Sequence, residues 1–161
     1  MHKTDVSLGR RAFVGFMAAG TIISIAPLAF AKAPPHSITV WKDPNCGCCL
    51  SWVEHLRRNG FVATVIESKD VQTIKLQRGV PMELASCHTA EVAGYTIEGH
   101  VPAGAILRLL SEKPVARGLA VPGMPSGSPG MEGGTPEAYD VIIFGPSAPT
   151  RFERYLGLQR L

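Results

Sequence analysis

Apolar residues in this chain recur with two periods, and the switches between them mark out the elements. Ile38-Thr39-Val40-Trp41 is a β-branched and aromatic run and predicts a first strand. Lys42-Asp43-Pro44-Asn45 is turn chemistry. From Cys48 to Asn59 the pattern changes, with Leu50, Trp52, Val53 and Leu56 recurring at roughly helical spacing, and Asn59-Gly60 is a stop. Phe61 to Ile66 predicts a second strand, and Val71 to Gln77 a short second helix ended by Arg78-Gly79 and Pro81. Glu91 to Val101 reads as a pair of short strands or a strand with a turn. Pro102 opens a third helix running to Lys113. Gly118 to Val121 is a short strand, residues 122–136 are a loop of glycine and proline, and Tyr139 to Phe144 is a buried-looking strand. The tail around Arg151 to Leu156 adds an edge strand or a helical turn.

This order predicts an α/β domain with a central mixed sheet and flanking helices. Cys46 and Cys49, in Cys-x-x-Cys spacing, fall where the first strand gives way to the first helix, which points to a thioredoxin-like fold. The domain occupies residues 34–161. Residues 1–33 read as an export leader: a charged start, an apolar run from Gly15 to Phe30 and a small-residue end suited to cleavage after Ala31 or Ala33. Arg10-Arg11 followed by Phe13 marks a twin-arginine type of signal, which predicts a periplasmic protein. A membrane anchor fits less well, because Pro27 interrupts the run and leaves it short of the ~20 residues a span needs. The net charge of +3 lies partly in the leader, so the domain is near neutral with no basic stripe. Nucleic-acid binding has no support, and no membrane contact is expected after cleavage.

The chemistry is concentrated in Cys46-Gly47-Cys48-Cys49, with Cys87 the one other cysteine. Free N–H groups and partial positive charge at a helix start favour thiolate over thiol. Three readings compete. In a redox pair, Cys46 attacks and Cys49 resolves, but Cys48 would compete for the mixed disulfide. In a structural reading, Cys46–Cys49 joins with Cys48–Cys87, because the other pairings are sterically cramped, yet the short bridge constrains little of the unfolded chain. In a metal reading, three thiolates from one turn and Cys87 from elsewhere make a soft site for Cu(I) or Zn(II). A structural zinc site draws on two separated cysteine pairs, whereas crowded thiolates can bridge several copper ions. Export in the folded state also allows loading in a reducing compartment. The metal reading accounts best for the crowding.

Other residues are read around that cluster. His88, beside Cys87, is a candidate ligand or support; alone it would be a solvated loop histidine. His100 reads as a satisfied structural histidine, although it lies where it can face the site. His55 reads as a surface residue, and His36 carries little weight. Met124 and Met131 sit among glycine and proline, where no regular element delivers them to a core, and a thioether is a soft copper ligand. The loop that holds them is expected to close over the cluster as a lid. Trp41 and Trp52 read as core, and Asp43 reads equally as a neighbour of the cluster or as a cap of the turn. There is no Ser-His-Asp set, no paired carboxylates at helical spacing and no phosphate loop.

Lys-Asp-Pro-Asn-Cys-Gly-Cys-Cys (42–49), Ser-Cys-His-Thr-Ala (86–90), Glu-Gly-His-Val-Pro-Ala (98–103) and the glycine- and proline-rich stretch 118–132 together resemble a family of small exported bacterial metal-binding domains of unknown function that includes the copper resistance protein CopG. The resemblance spans about Ile38 to Tyr155. It implies a thioredoxin-like domain holding a copper centre, polynuclear with bridging sulfurs. Cys46, Cys48, Cys49 and Cys87 match the family's cysteine positions, and His88, Met124 and Met131 its neighbouring motif residues. The implied role is periplasmic copper handling, by binding Cu(I) or cycling it with Cu(II), with another periplasmic copper protein as a possible partner. The rival expectation is a thiol–disulfide oxidoreductase using Cys46 and Cys49.

Overall fold

A computed structural model describes residues 35–161; the leader read over residues 1–33 lies outside them. The elements are β1 (His36–Lys42), α1 (Gly47–Arg58), β2 (Phe61–Glu67), α2 (Val71–Gln77), a 3-10 turn (Met82–Leu84), β3 (His88–Val92), β4 (Tyr95–Glu98), α3 (Ala103–Glu112), β5 (Gly118–Ala120), β6 (Ala138–Phe144), β7 (Thr150–Leu156) and β8 (Gln159–Arg160). All eight strands join one mixed sheet in the order β2-β1-β3-β4-β5-β6-β7-β8. β1 pairs parallel with β2 and β4 with β5, while the remaining pairs are antiparallel. The α/β expectation therefore holds, and the tail resolves as a strand followed by a short edge strand.

The strand pair expected from Glu91 begins earlier, at His88, and turns at Ala93-Gly94, where both residues have positive φ. That conformation suits the tight hairpin connection, whose twist matches the strands. Buried polar residues hid the start of this hairpin. His88, Thr89, Thr96 and Glu98 are enclosed although their chemistry reads as exposed.

The two helices with an extensive apolar face pack on one side of the sheet. α1 contributes Trp52, Val53 and Leu56, and α3 contributes Ile106 and Leu109, to a core with Ile38, Val40, Ile97 and Leu119. Side chains alternate along β5, so Ala120 points the other way, into a smaller cluster with Val80, Leu84 and Phe144. Trp52 is in the core as expected and donates its indole N–H to the Val101 carbonyl at 2.9 Å. Trp41 is not in the core: it is half-buried, with the Arg78 guanidinium 4.5 Å from its ring centre. Its neighbour Val40 faces the core, so alternation turns Trp41 to the opposite side.

His55 also departs from expectation. It is buried on the core side of α1, and its Nε2 accepts the backbone N–H of Ala103 at 3.0 Å. It thereby satisfies one of the free amides at the start of α3, where Pro102 supplies no side-chain cap. Spacing of three from Trp52 places it on that face.

Candidate metal centre

The loop from β1 to α1 is built to present sulfur. Asp43 Oδ1 accepts the Asn45 N–H at 2.8 Å, so of its two readings it is the turn cap, and the Asp43 carbonyl accepts the Cys46 N–H at 3.0 Å. Lys42 is fully buried, and its ammonium donates to the carbonyls of Asp43 (2.8 Å) and Pro44 (3.2 Å). Cys46 is the N-terminal boundary residue of α1, with no side-chain cap and no acidic residue in the first turn. The helix start therefore offers its partial positive charge to the sulfurs.

Cys46 and Cys49 form a disulfide, with their Cα atoms 5.5 Å apart, and Cys48 and Cys87 are free. Cys48 Sγ lies 3.5 Å from Cys46 Sγ, and Cys87 Sγ lies 3.6 Å from Cys49 Sγ. All four sulfurs fall within 4.8 Å of one another. Cys87 arrives from the segment between the 3-10 turn and β3, so two remote stretches of chain converge on one cluster.

Cys87 also belongs to a second group. Its sulfur is 3.2 Å from His88 Nδ1 and 3.0 Å from His100 Nε2, and the ligand atoms of Cys87, His88 and His100 lie within 4.8 Å of one another. His100 is thus not merely a satisfied structural histidine: it faces the sulfur site. Its Nδ1 is 2.7 Å from the Pro129 carbonyl, which can only accept, so Nδ1 carries the proton and the Nε2 lone pair points at Cys87. This is the outer hydrogen bond that orients a metal-binding imidazole. The Glu98-Gly99-His100 run carried the signal, but nothing in its spacing said that His100 points inward.

His88 packs its ring 4.3 Å from that of Trp52 and 5.1 Å from that of His100. It is fully buried, and its Nε2 is without a hydrogen-bond partner. An unpaired buried polar atom costs about 1–3 kcal/mol, which a bound cation can recover. Burial pushes the His88 pKa well below its ordinary value, and nearby positive charge adds to this; burial lowers that of His100 as well. Both rings are therefore neutral donors near pH 7. Burial also pushes the Cys87 thiol up to about 12, with Cys48 beside it adding to the rise. Cys87 lies off the helix start, so desolvation decides its state and a cation must displace its proton. Two soft thiols, a disulfide that yields two more thiols on reduction, and two neutral imidazoles fit a soft metal such as Cu(I).

The loop of residues 122–136 covers this corner and is pinned to it. Ser86 Oγ donates to the Gly123 carbonyl, His100 holds Pro129, and Gly130 rests against the backbone of Cys48 and Trp52. Within it Ser128 is buried, donating its hydroxyl to the Pro125 carbonyl at 2.7 Å. Met131 is half-buried, whereas Met124 is 52% exposed.

Three buried neutral histidines have a consequence for the metal-free protein. His55, His88 and His100 all have lowered pKa values, so the unfolded chain binds their protons first as pH falls. Stability is full above the unfolded value of ~6.5 and declines below it, by up to about 1.4 kcal/mol per pH unit for each group. Denaturant unfolding between pH 7.5 and 5 should show this decline, and His55→Asn should flatten it.

The architecture and the cluster define a mixed α/β domain with a buried Cys/His constellation suited to a soft metal. The family described as "Protein of unknown function, DUF411" matches residues 84–131. Two solved structures of copper resistance protein CopG, forms 1 and 2, superpose with TM-scores of 0.72 at 44% sequence identity. Form 2 covers 75% of this chain and 98% of its own, and form 1 covers 76% and 99%. No curated protein matches the chain. The chain belongs to the DUF411 family, which includes CopG. Among the described residues no helix is long and apolar enough to cross a membrane.

Proposed function

We propose that this protein is a periplasmic copper-binding protein of copper resistance. With the Cys46–Cys49 disulfide reduced by an external dithiol, Cys46, Cys48, Cys49, Cys87 and His88 would hold Cu(I), with His100 as a further donor and the loop bearing Met124 and Met131 as the cover. The observation that carries this reading is the sharing of Cys87 between a four-sulfur group and a Cys-His-His group. A thiolate common to two donor sets favours more than one copper ion bridged by sulfur. The names of the CopG structures support copper as the metal. A leader in residues 1–33 would deliver the domain to the periplasm through a twin-arginine type of exporter. The thioredoxin-like reading draws support from the β2-β1-β3-β4 part of the sheet, with its parallel first pair and the cysteines at the start of α1.

The test is metal loading of the reduced domain. Cys48→Ser should lower the copper-to-protein ratio while leaving the circular dichroism spectrum unchanged. Undiminished copper in that variant removes Cys48 from the site. One observation favours a second reading: the Cys46–Cys49 disulfide, in Cys-x-x-Cys spacing, is what the oxidised state of a thiol–disulfide oxidoreductase would contain. An insulin-reduction assay separates the two, because the copper reading requires weak activity that copper abolishes. The same centre would support cycling between Cu(I) and Cu(II).

A further inference from the structure

The mechanism leaves one buried charged cluster unused, and it lies directly behind Cys87. Lys75 of α2 and Glu98 at the end of β4 are both buried, and the ammonium donates to Glu98 Oε1 at 2.5 Å. Thr89, the cross-strand partner of Glu98, donates its hydroxyl to Oε2 at 2.7 Å and accepts from Lys75 at 3.1 Å. Glu98 Oε1 has one more partner: the backbone N–H of Ser86, at 2.6 Å. Ser86 immediately precedes Cys87 and uses its own hydroxyl to hold the Gly123 carbonyl of the covering loop.

We infer that Glu98, itself held by Lys75 and Thr89, is a positioning residue for the Cys87 ligand. Its carboxylate oxygen fixes the Ser86 amide, and with it the Cys87 sulfur and the edge of the covering loop. The inference rests on the copper reading for its ligand but not for its geometry. Cys87 leaves the 3-10 turn on an irregular segment, where no strand ladder holds the backbone until His88. In place of a ladder there is one charge-assisted hydrogen bond, the stronger kind. Stability alone does not account for the arrangement. A buried ion pair is often replaceable by apolar residues at no loss, whereas an amide acceptor at a ligand is not.

The double variants separate these roles. Lys75→Met with Glu98→Leu removes the charge pair and the acceptor together; Lys75→Met with Glu98→Gln removes the charge and keeps an acceptor. Two measurements are made on folded, reduced protein: hydrogen exchange of the Ser86 amide without copper, and Cu(I) retention against bathocuproine disulfonate. The leucine pair should exchange the Ser86 amide at least tenfold faster and surrender Cu(I) at least tenfold more readily, and the glutamine pair should recover both. Leucine-pair protein with wild-type exchange, or with wild-type copper retention, overturns the inference. Should that pair fail to fold, Glu98→Asp withdraws the acceptor while keeping the charge; the same losses are expected, and their absence overturns it equally. Wild-type protein that takes up no Cu(I) sinks the copper reading instead, and the amide measurement still judges the positioning.

Discussion

Replacing Cys87 by serine is expected to empty the centre more completely than any other single cysteine substitution. Cys87 is the residue common to the four-sulfur group and the Cys-His-His group. Cys48→Ser leaves His88 and His100 with their sulfur partner; Cys87→Ser leaves two imidazoles facing a hard hydroxyl and strands the three α1 cysteines on the far side. A serine oxygen is also a poor ligand for a soft ion. Loss of an outer support alone costs ten- to hundredfold in metal affinity, so loss of the shared ligand should cost at least about a hundredfold. Competition with a chromophoric Cu(I) chelator and elemental analysis of the desalted protein would measure it. Retention equal to that of Cys48→Ser would mean that the two groups do not share a sulfur in the loaded state.

The second large effect is expected from a glycine with no chemistry of its own. Gly130 has φ +88°, and a Cβ there would lie 2.7 Å from the Cys48 carbonyl oxygen and 2.8 Å from the Trp52 nitrogen. Both are backbone atoms of α1, which cannot turn aside as a side chain can. Gly130→Ala therefore combines a left-handed backbone cost of about 1–2 kcal/mol with an overlap of about 1–3 kcal/mol. The loop can relieve the overlap only by lifting from α1, and lifting breaks the Pro129 link that orients His100. A stability loss of about 2–5 kcal/mol is expected in denaturant titration. Faster release of Cu(I) to a chelator should accompany it, exceeding the release from a remote core variant of equal instability.

The period of the apolar residues made β1, α1, β2 and α3 legible, because each has one apolar face and an ordinary stop; α2 was marked by its stop at Arg78-Gly79, since its one buried side chain is Lys75. β3 was harder: His88 and Thr89 are polar, and they are buried only because Trp52 packs on one and Glu98 bonds the other. The same reason hid Lys75 and Glu98, since a charged residue on a short helix or strand reads as solvated until its partner is known. Crowding along the chain marked the α1 cysteines. The inward turn of His55 and His100 depends on α3 and on the covering loop, contacts between residues 29 to 48 positions apart that no local pattern encodes.

Cys87 stands 38 residues from Cys49, and Pro129 a further 29 from His100. No fragment short of the assembled sheet brings these donors within reach of a single ion. Cargo and tertiary structure are therefore thermodynamic partners: free ion at a thousand times its dissociation constant would add about 4.1 kcal/mol to the folded state. On the copper reading, a chain that opens would forfeit its ion, and a chain stripped of the ion would open more readily.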